Sequence, residues 1–200
     1  MNYLAHLFLA GKNDGFILGS LLEDYITGGI ENPVNRLLPA EVKAGLRLHR
    51  HIDTFTDSDR EIAACKQLFY PGFGKYSPVI VDVILDHFLH KNWEHFATEE
   101  FDVFKNRVYH SLTTCYTEWQ PPALQALVRS MVEHDWLKSY IHFWGVEKAL
   151  SSLNRRVKQV DLTEAVPVMK QHYQEINSLF LSFFTRLKES CDTELAAYGQ

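Results

Sequence analysis

Pro39-Ala40-Glu41-Val42-Lys43-Ala44-Gly45-Leu46-Arg47-Leu48-His49-Arg50-His51-Ile52-Asp53-Thr54-Phe55 is the stretch whose reading decides the fold. Pro39, at a first-turn position, predicts a helix start, and the helix runs to about Phe55. At about 100° per residue, Leu48, Ile52 and Phe55 fall on one apolar face. His49 and Asp53, at i and i+4, share a second face. Lys43, Arg47 and Arg50 form a third, basic stripe beside them. The period is helical, and the helix has a core side, a polar side that could hold a ligand, and a cationic side.

The same period extends outward in both directions. Residues 2–10 are apolar with Ala5 and Ala10, which favours helix over strand. Gly15 opens a segment with apolar positions at Phe16, Ile17, Leu21, Leu22, Tyr25 and Ile26, broken by Gly28-Gly29 and Asn32-Pro33. Thr56-Asp57-Ser58-Asp59 reads as a stop and an N-cap for a short helix near 59–69, followed by a loop at Pro71-Gly72-Phe73-Gly74. Helices are expected over about 77–97, 99–117, 122–137 and 145–157, with one long helix from Thr163 to about Ala197. Pro167 falls four residues into that last helix, where proline is accommodated. No period-2 run, internal repeat or low-complexity tract interrupts the series. The expectation is an all-α, single-domain helical bundle spanning 1–200.

Composition agrees. Of 200 residues, 46% are hydrophobic and 22% charged, enough apolar surface to offset the entropy of folding and so to exclude wholesale disorder. The formal charge of −5 argues against a general nucleic-acid binder. Cys65, Cys115 and Cys191 are an odd, widely spaced set with no CxxC, which favours reduced thiols. The apolar start lacks a basic n-region and carries His6, making it a poor signal peptide. No run approaches the roughly 18 apolar residues that span a bilayer. A cytoplasmic protein with no membrane partner is expected.

Chemistry is suggested by where the His and Asp residues fall. His49 and Asp53 could share one metal ion. Spacing alone leaves a second reading, a half-exposed helix with one satisfied His–Asp pair. Asp82, Asp86 and His90 repeat the four-residue interval on a largely apolar helix, where carboxylates are costly to bury unless paired or metal-bound. Asp24 ends an apolar helix, and His6 stands alone among Leu and Phe, where a satisfied core histidine is the commoner case. Such N/O donors suit Mn, Fe or Zn. No GxxxxGK[ST], GxGxxG or GxSxG is present. His134-Asp135 is a literal HD dipeptide but lies in a loop-prone stretch and reads as a chance match.

Several blocks together resemble a known family. They are Met1–Leu7, Leu18–Tyr25, Gly45–Asp57, Asp82–Leu89, Asp135-Trp136-Leu137 with Tyr140, and Leu153-Asn154-Arg155-Arg156. In this order they resemble the acyl carrier protein phosphodiesterase family, and the block Leu48-His49-Arg50-His51-Ile52-Asp53-Thr54-Phe55-Thr56-Asp57 is the most specific. Glu23 departs from the family pattern, where a small residue is expected. The resemblance implies a helical fold distantly like the HD phosphohydrolases. It also implies hydrolysis of the phosphodiester joining 4′-phosphopantetheine to a serine of holo acyl carrier protein, with a divalent metal, manganese favoured and Fe²⁺ or Mg²⁺ as alternatives. Carried over by position, the metal candidates are His6, Asp24, His49, Asp53, Asp86 and His87. Asp24, Asp53, Asp57 and Asp82 are the candidates for orienting or deprotonating a water.

Lys43, Arg47 and Arg50 are the expected substrate-binding residues. The arginines could clamp phosphate oxygens, and the whole stripe could meet an acidic carrier surface. A solvated helix face is the alternative for that stripe. For the whole chain, two other functions are compatible with the residues: an HD-like phosphohydrolase of a nucleotide or other small phosphoester, and a non-enzymatic helical interaction protein.

Overall fold

The computed structural model describes residues 1–155, 157 and 160–198. Among these the chain is helical, without strands: α1 (Tyr3–Leu9), α2 (Asp14–Leu22), α3 (Ala40–Ser58), α4 (Arg60–Phe73), α5 (Ser77–Lys91), α6 (Trp93–Phe96), α7 (Phe101–Thr114), α8 (Pro122–Glu133), α9 (Trp136–Ser139), α10 (Phe143–Asn154), α11 (Ala165–Gln171) and α12 (Tyr173–Ala196). Arg156, part of the Leu153–Arg156 block and of the helix expected to 157, lies outside the described residues.

Caps set the helix starts. The Asn13 side chain accepts from the Gly15 and Phe16 amides at α2, and Asp59 accepts from Glu61 and Ile62 at α4. The helices close on one continuous core that includes Phe16, Phe69, Phe88, Phe180 and Phe184. α12 is fastened over α4 by Arg186, whose guanidinium reaches Asp59 and Glu61. His51 on α3 reaches Ser190 on α12 at 2.8 Å.

Several expected boundaries move, among them the helix expected over about 122–137, which breaks at His134 and Asp135, the latter with φ +47°, into α8 and α9. The loop at 71–74 is instead the last turn of α4, which ends at Gly74 with φ +50°. Proline at 71 removes a backbone donor on an exposed face, while Phe69 and Phe73, one turn apart, are both buried and hold the turn. The helix expected over 77–97 breaks at Asn92, whose side-chain amide donates to the Phe88 carbonyl and to Asn177. The final long helix is two, α11 and α12, separated at His172.

One contact places the site. α2 and α3 cross where Gly19 meets Gly45, so closely that a Cβ on Gly19 would lie 2.7 Å from the Gly45 Cα, and one on Gly45 would lie 2.6 Å from the Phe16 carbonyl oxygen. Only glycine on both sides permits this approach. It brings the C-terminal end of α2 onto the middle of α3, where His49 and Asp53 stand. α1 packs against both α2 and α5. The pairs on α3 and α5 therefore meet across α1 rather than face to face.

Candidate metal centre

His6 from α1 and His49 and Asp53 from α3 converge in a cavity of about 270 Å³ that Ser20, Asp24, Thr56, Asp57 and Asp82 also line. The His6 Nε2 lies 3.2 Å from Asp53 Oδ1, and the His49 Nε2 lies 3.1 Å from Asp53 Oδ2. The two imidazoles stack at 4.0 Å with 15° between their planes. One atom from each of these three residues falls within 4.8 Å of the others, and Glu23, Asp24 and His49 form a second such group.

Hydrogen bonds fix the state of each ring. His49 Nδ1 is 2.7 Å from the Ser20 carbonyl, which can only accept, so Nδ1 carries a proton. Its Nε2 is then free to coordinate, or is protonated when it donates to Asp53. Burial opposes the charged ring, but the hydrogen bond and charge of Asp53 outweigh it and raise the His49 pKa. His6 is the opposite case: burial lowers it to about 4, so it is neutral. With Nε2–H directed at Asp53, its buried Nδ1 has no partner among the described residues. Asp53 is pushed up by burial but driven well below the usual carboxylate range by its hydrogen bonds from His49 and His6.

These donors fit a divalent first-row ion. Two imidazole nitrogens and a carboxylate face one point, and the Ser20 carbonyl orients His49 as outer partners orient ligating histidines. Asp24 is exposed as a whole residue, but partial desolvation of its carboxyl at the cavity raises its pKa, with His49 opposing.

Two of the expected ligands are elsewhere. Asp86 is fully buried at 0% exposed, and its two oxygens accept from the Leu4 and Ala5 amides at 2.9 and 3.1 Å. It caps α1, which carries His6. His87 Nδ1 donates to the Tyr140 carbonyl at 2.7 Å, and its Nε2 accepts from the Tyr173 hydroxyl at 3.1 Å, which leaves no lone pair for an ion. Asp82, one turn before Asp86, does line the cavity, while His90, one turn after it, packs on Phe101. Eight residues of helix advance about 12 Å, too far for one site.

Asp57 lines the cavity but pairs with Lys66 at 3.0 Å. The arginines do not reach in. Arg47 pairs with Glu31 and Arg50 with Glu23, and the Lys43 ammonium donates to the Arg36 carbonyl. The reason is helical: Arg47 and Arg50 are two residues before and one residue after His49, off the face it shares with Asp53. His134 belongs to neither metal-ligand group, and the Asp135 carboxylate is engaged by Lys105 and Tyr109. The Ser20 carbonyl and Thr56 were not anticipated. The first is backbone and carries no side-chain signal. The second is one turn beyond Ile52, on the side read as core.

Comparison with known proteins gives the site its context. The model of the family described as acyl carrier protein phosphodiesterase matches residues 1–187. Proteins of that name from Yersinia pestis and Pectobacterium atrosepticum are each 30% identical to this chain, over 92% and 97% of it and 94% and 99% of their own lengths. The one from Photorhabdus laumondii is 28% identical over 97% of this chain and 96% of its own. No solved structure matches. The sequence blocks that carry the resemblance supply His6, Asp24, His49, Asp53, Asp57 and Asp82 to a single cavity. The relatives match from end to end, and the chain belongs to the acyl carrier protein phosphodiesterase family.

Proposed function

We propose that the chain hydrolyses the phosphodiester joining 4′-phosphopantetheine to a serine of holo acyl carrier protein, releasing apo carrier protein and 4′-phosphopantetheine. The observation that carries this reading is the His6–His49–Asp53 cluster at a cavity, in a chain of this family. Manganese is the proposed ion, held by His6, His49 and Asp53 with Asp24 beside them. Bound there, a divalent ion would offset charge on the phosphoryl oxygens and lower the pKa of a nearby water.

The protein's own groups supply the rest. Water adds its oxygen to phosphorus, the bond from phosphorus to the serine oxygen breaks, and that oxygen takes up a proton. Asp82 stands in the cavity outside both ligand groups and is the carboxylate proposed to orient the water and take its proton. Both carboxylates have a cationic neighbour, Asp57 the Lys66 ammonium at 3.0 Å and Asp82 the Met1 ammonium at 3.1 Å, and Asp57 is the second candidate. Lys43, Arg47 and Arg50, outside the cavity, are proposed to dock the acidic carrier rather than to clamp phosphate. The exposed pairs of Arg47 with Glu31 and Arg50 with Glu23 are worth only about 0–1 kcal/mol and can be exchanged for a partner's carboxylates.

A cytoplasmic location is proposed on chemical grounds. Cys65, Cys115 and Cys191 are all free, and burial pushes the Cys65 and Cys191 thiols up to about 12, which suits inert, reduced residues. No helix among the described residues is long and apolar enough to cross a membrane. The test is incubation of the manganese-loaded chain with holo carrier protein, read by intact mass for loss of the arm. An unchanged mass with metal demonstrably bound would refute the reading.

A further inference from the structure

A second, larger cavity of about 930 Å³ adjoins the metal-ligand cavity and shares Met1, Asn2, Tyr3 and Asp82 with it. Its walls come from α5, α8, α9 and α10. Val83, Leu127 and Trp136 give it an apolar floor, and Ser130, Ser139 and Ser152 add hydroxyls. Asp82, at the junction, is its only acidic lining residue among those described. From these features we infer that this groove holds the pantetheine arm beyond the scissile phosphate, an inference that rests on the proposed function.

Size and chemistry both favour it. Cavities that enclose organic ligands run to about 300–1,000 Å³. The metal-ligand cavity, at about 270 Å³, suits an ion and a phosphoryl group but not a long organic substituent as well. The adjoining groove has the needed volume and opens from the same point. A pantetheine arm is uncharged, alternating gem-dimethyl and methylene carbons with two amides and a hydroxyl. An apolar floor with serine hydroxyls and a single carboxylate matches that alternation, and Lys148 and Arg155, which also line the groove, are donors for the arm's amide carbonyls. The His134 of the HD dipeptide acquires a place here: its Nδ1 donates to the Ser130 carbonyl at 3.0 Å, and the residue lines the groove. It is then a wall residue for the arm, separate from the ion.

The test compares two ligands on the manganese-loaded full chain by calorimetry: inorganic phosphate, and 4′-phosphopantetheine. The arm's contribution is the ratio of their affinities. We expect 4′-phosphopantetheine to bind at least tenfold tighter than phosphate, and Ser152→Trp, an exposed position on α10 that fills the groove, to collapse that ratio toward one. Ser130→Trp fills it from α8, so one misfolded variant does not decide the matter, and phosphate binding reports whether the ion site survives. A ratio near one in the unmodified chain overturns the assignment, as does a ratio that persists in both folded variants. Cleavage of holo carrier protein is measured separately. A groove-dependent ratio without cleavage would sink the proposed function and leave the groove standing, and cleavage without the ratio would do the reverse.

Discussion

His49 shows how much one side chain's surroundings decide. Its Nδ1 is committed to the Ser20 carbonyl, so only Nε2 can meet an ion, and that Nε2 lies 3.1 Å from Asp53. His49→Ala should lose bound Mn²⁺ and reduce holo-carrier hydrolysis by roughly 100-fold or more, since the ion's two contributions, offsetting phosphoryl charge and lowering the pKa of a water, would go together. His134→Ala, by contrast, should keep its manganese, which metal analysis of the two purified variants would show. Asp86 makes the complementary case. Burial pushes its carboxyl up to about 7, although the Leu4 and Ala5 amides oppose this. An unfolded aspartate titrates near about 3.9. Between those values the folded chain holds a proton that the unfolded chain has released, so this contribution to stability is complete below about pH 4 and is lost as pH rises through about 7. Asp86→Asn should remove that slope from a series of denaturation curves. It should also cost about 1–3 kcal/mol, because the new amide NH₂ would face one of two backbone donors. If Asp86 were an ion ligand instead, the variant would lose metal with little change in stability. From sequence, His49 and Asp53 were legible because i, i+4 spacing on a helix leaves little freedom. Asp86 and His87 were not, because the same spacing serves equally for capping a neighbouring helix or satisfying a buried ring.

The crossing of α2 and α3 is the element on which the site depends. Alanine in place of Gly19 would gain about 1 kcal/mol of helix propensity. Against that, its Cβ would lie 2.7 Å from the Gly45 Cα, and overpacking of this kind costs about 1–3 kcal/mol. The clash should win. Gly19→Ala should lower the melting temperature, and because the Ser20 carbonyl moves away from His49, manganese affinity should fall by about 10–100-fold. Titration of the ion into the folded variant checks this, and unchanged affinity would mean that the helix contact does not set the ligand geometry. At this scale the sequence was read well where apolar period and punctuation agreed, as for α3. It was misread where a buried aromatic pair overrode a Pro-Gly signal at the end of α4, and where a side-chain amide at Asn92 ended a helix that the apolar pattern would have continued. Those outcomes depend on partners from distant segments, which no local pattern contains.

On the scale of the whole molecule, a net charge of −5 sits beside a local basic stripe at Lys43, Arg47 and Arg50. If the stripe docks an acidic carrier, Lys43→Glu should chiefly raise KM for holo carrier protein and flatten the salt dependence of the reaction, because a remote charge acts through encounter. A small unattached phosphodiester should be turned over with little or no loss; equal losses on both substrates would mean that Lys43, through the Arg36 carbonyl, supports the fold instead. The helical class was legible across nearly the whole chain, whereas the groove beside the site was not, since residues 1–3 and α5 must meet the consecutive α8, α9 and α10 from distant parts of the sequence to build it. The central claim is that this arrangement cleaves a carrier-bound phosphodiester. Its most direct test is the intact mass of holo acyl carrier protein after incubation with the manganese-loaded chain. We expect conversion to the apo mass with free 4′-phosphopantetheine in solution, abolished by His49→Ala. A carrier that keeps its arm while the chain demonstrably holds manganese would contradict it.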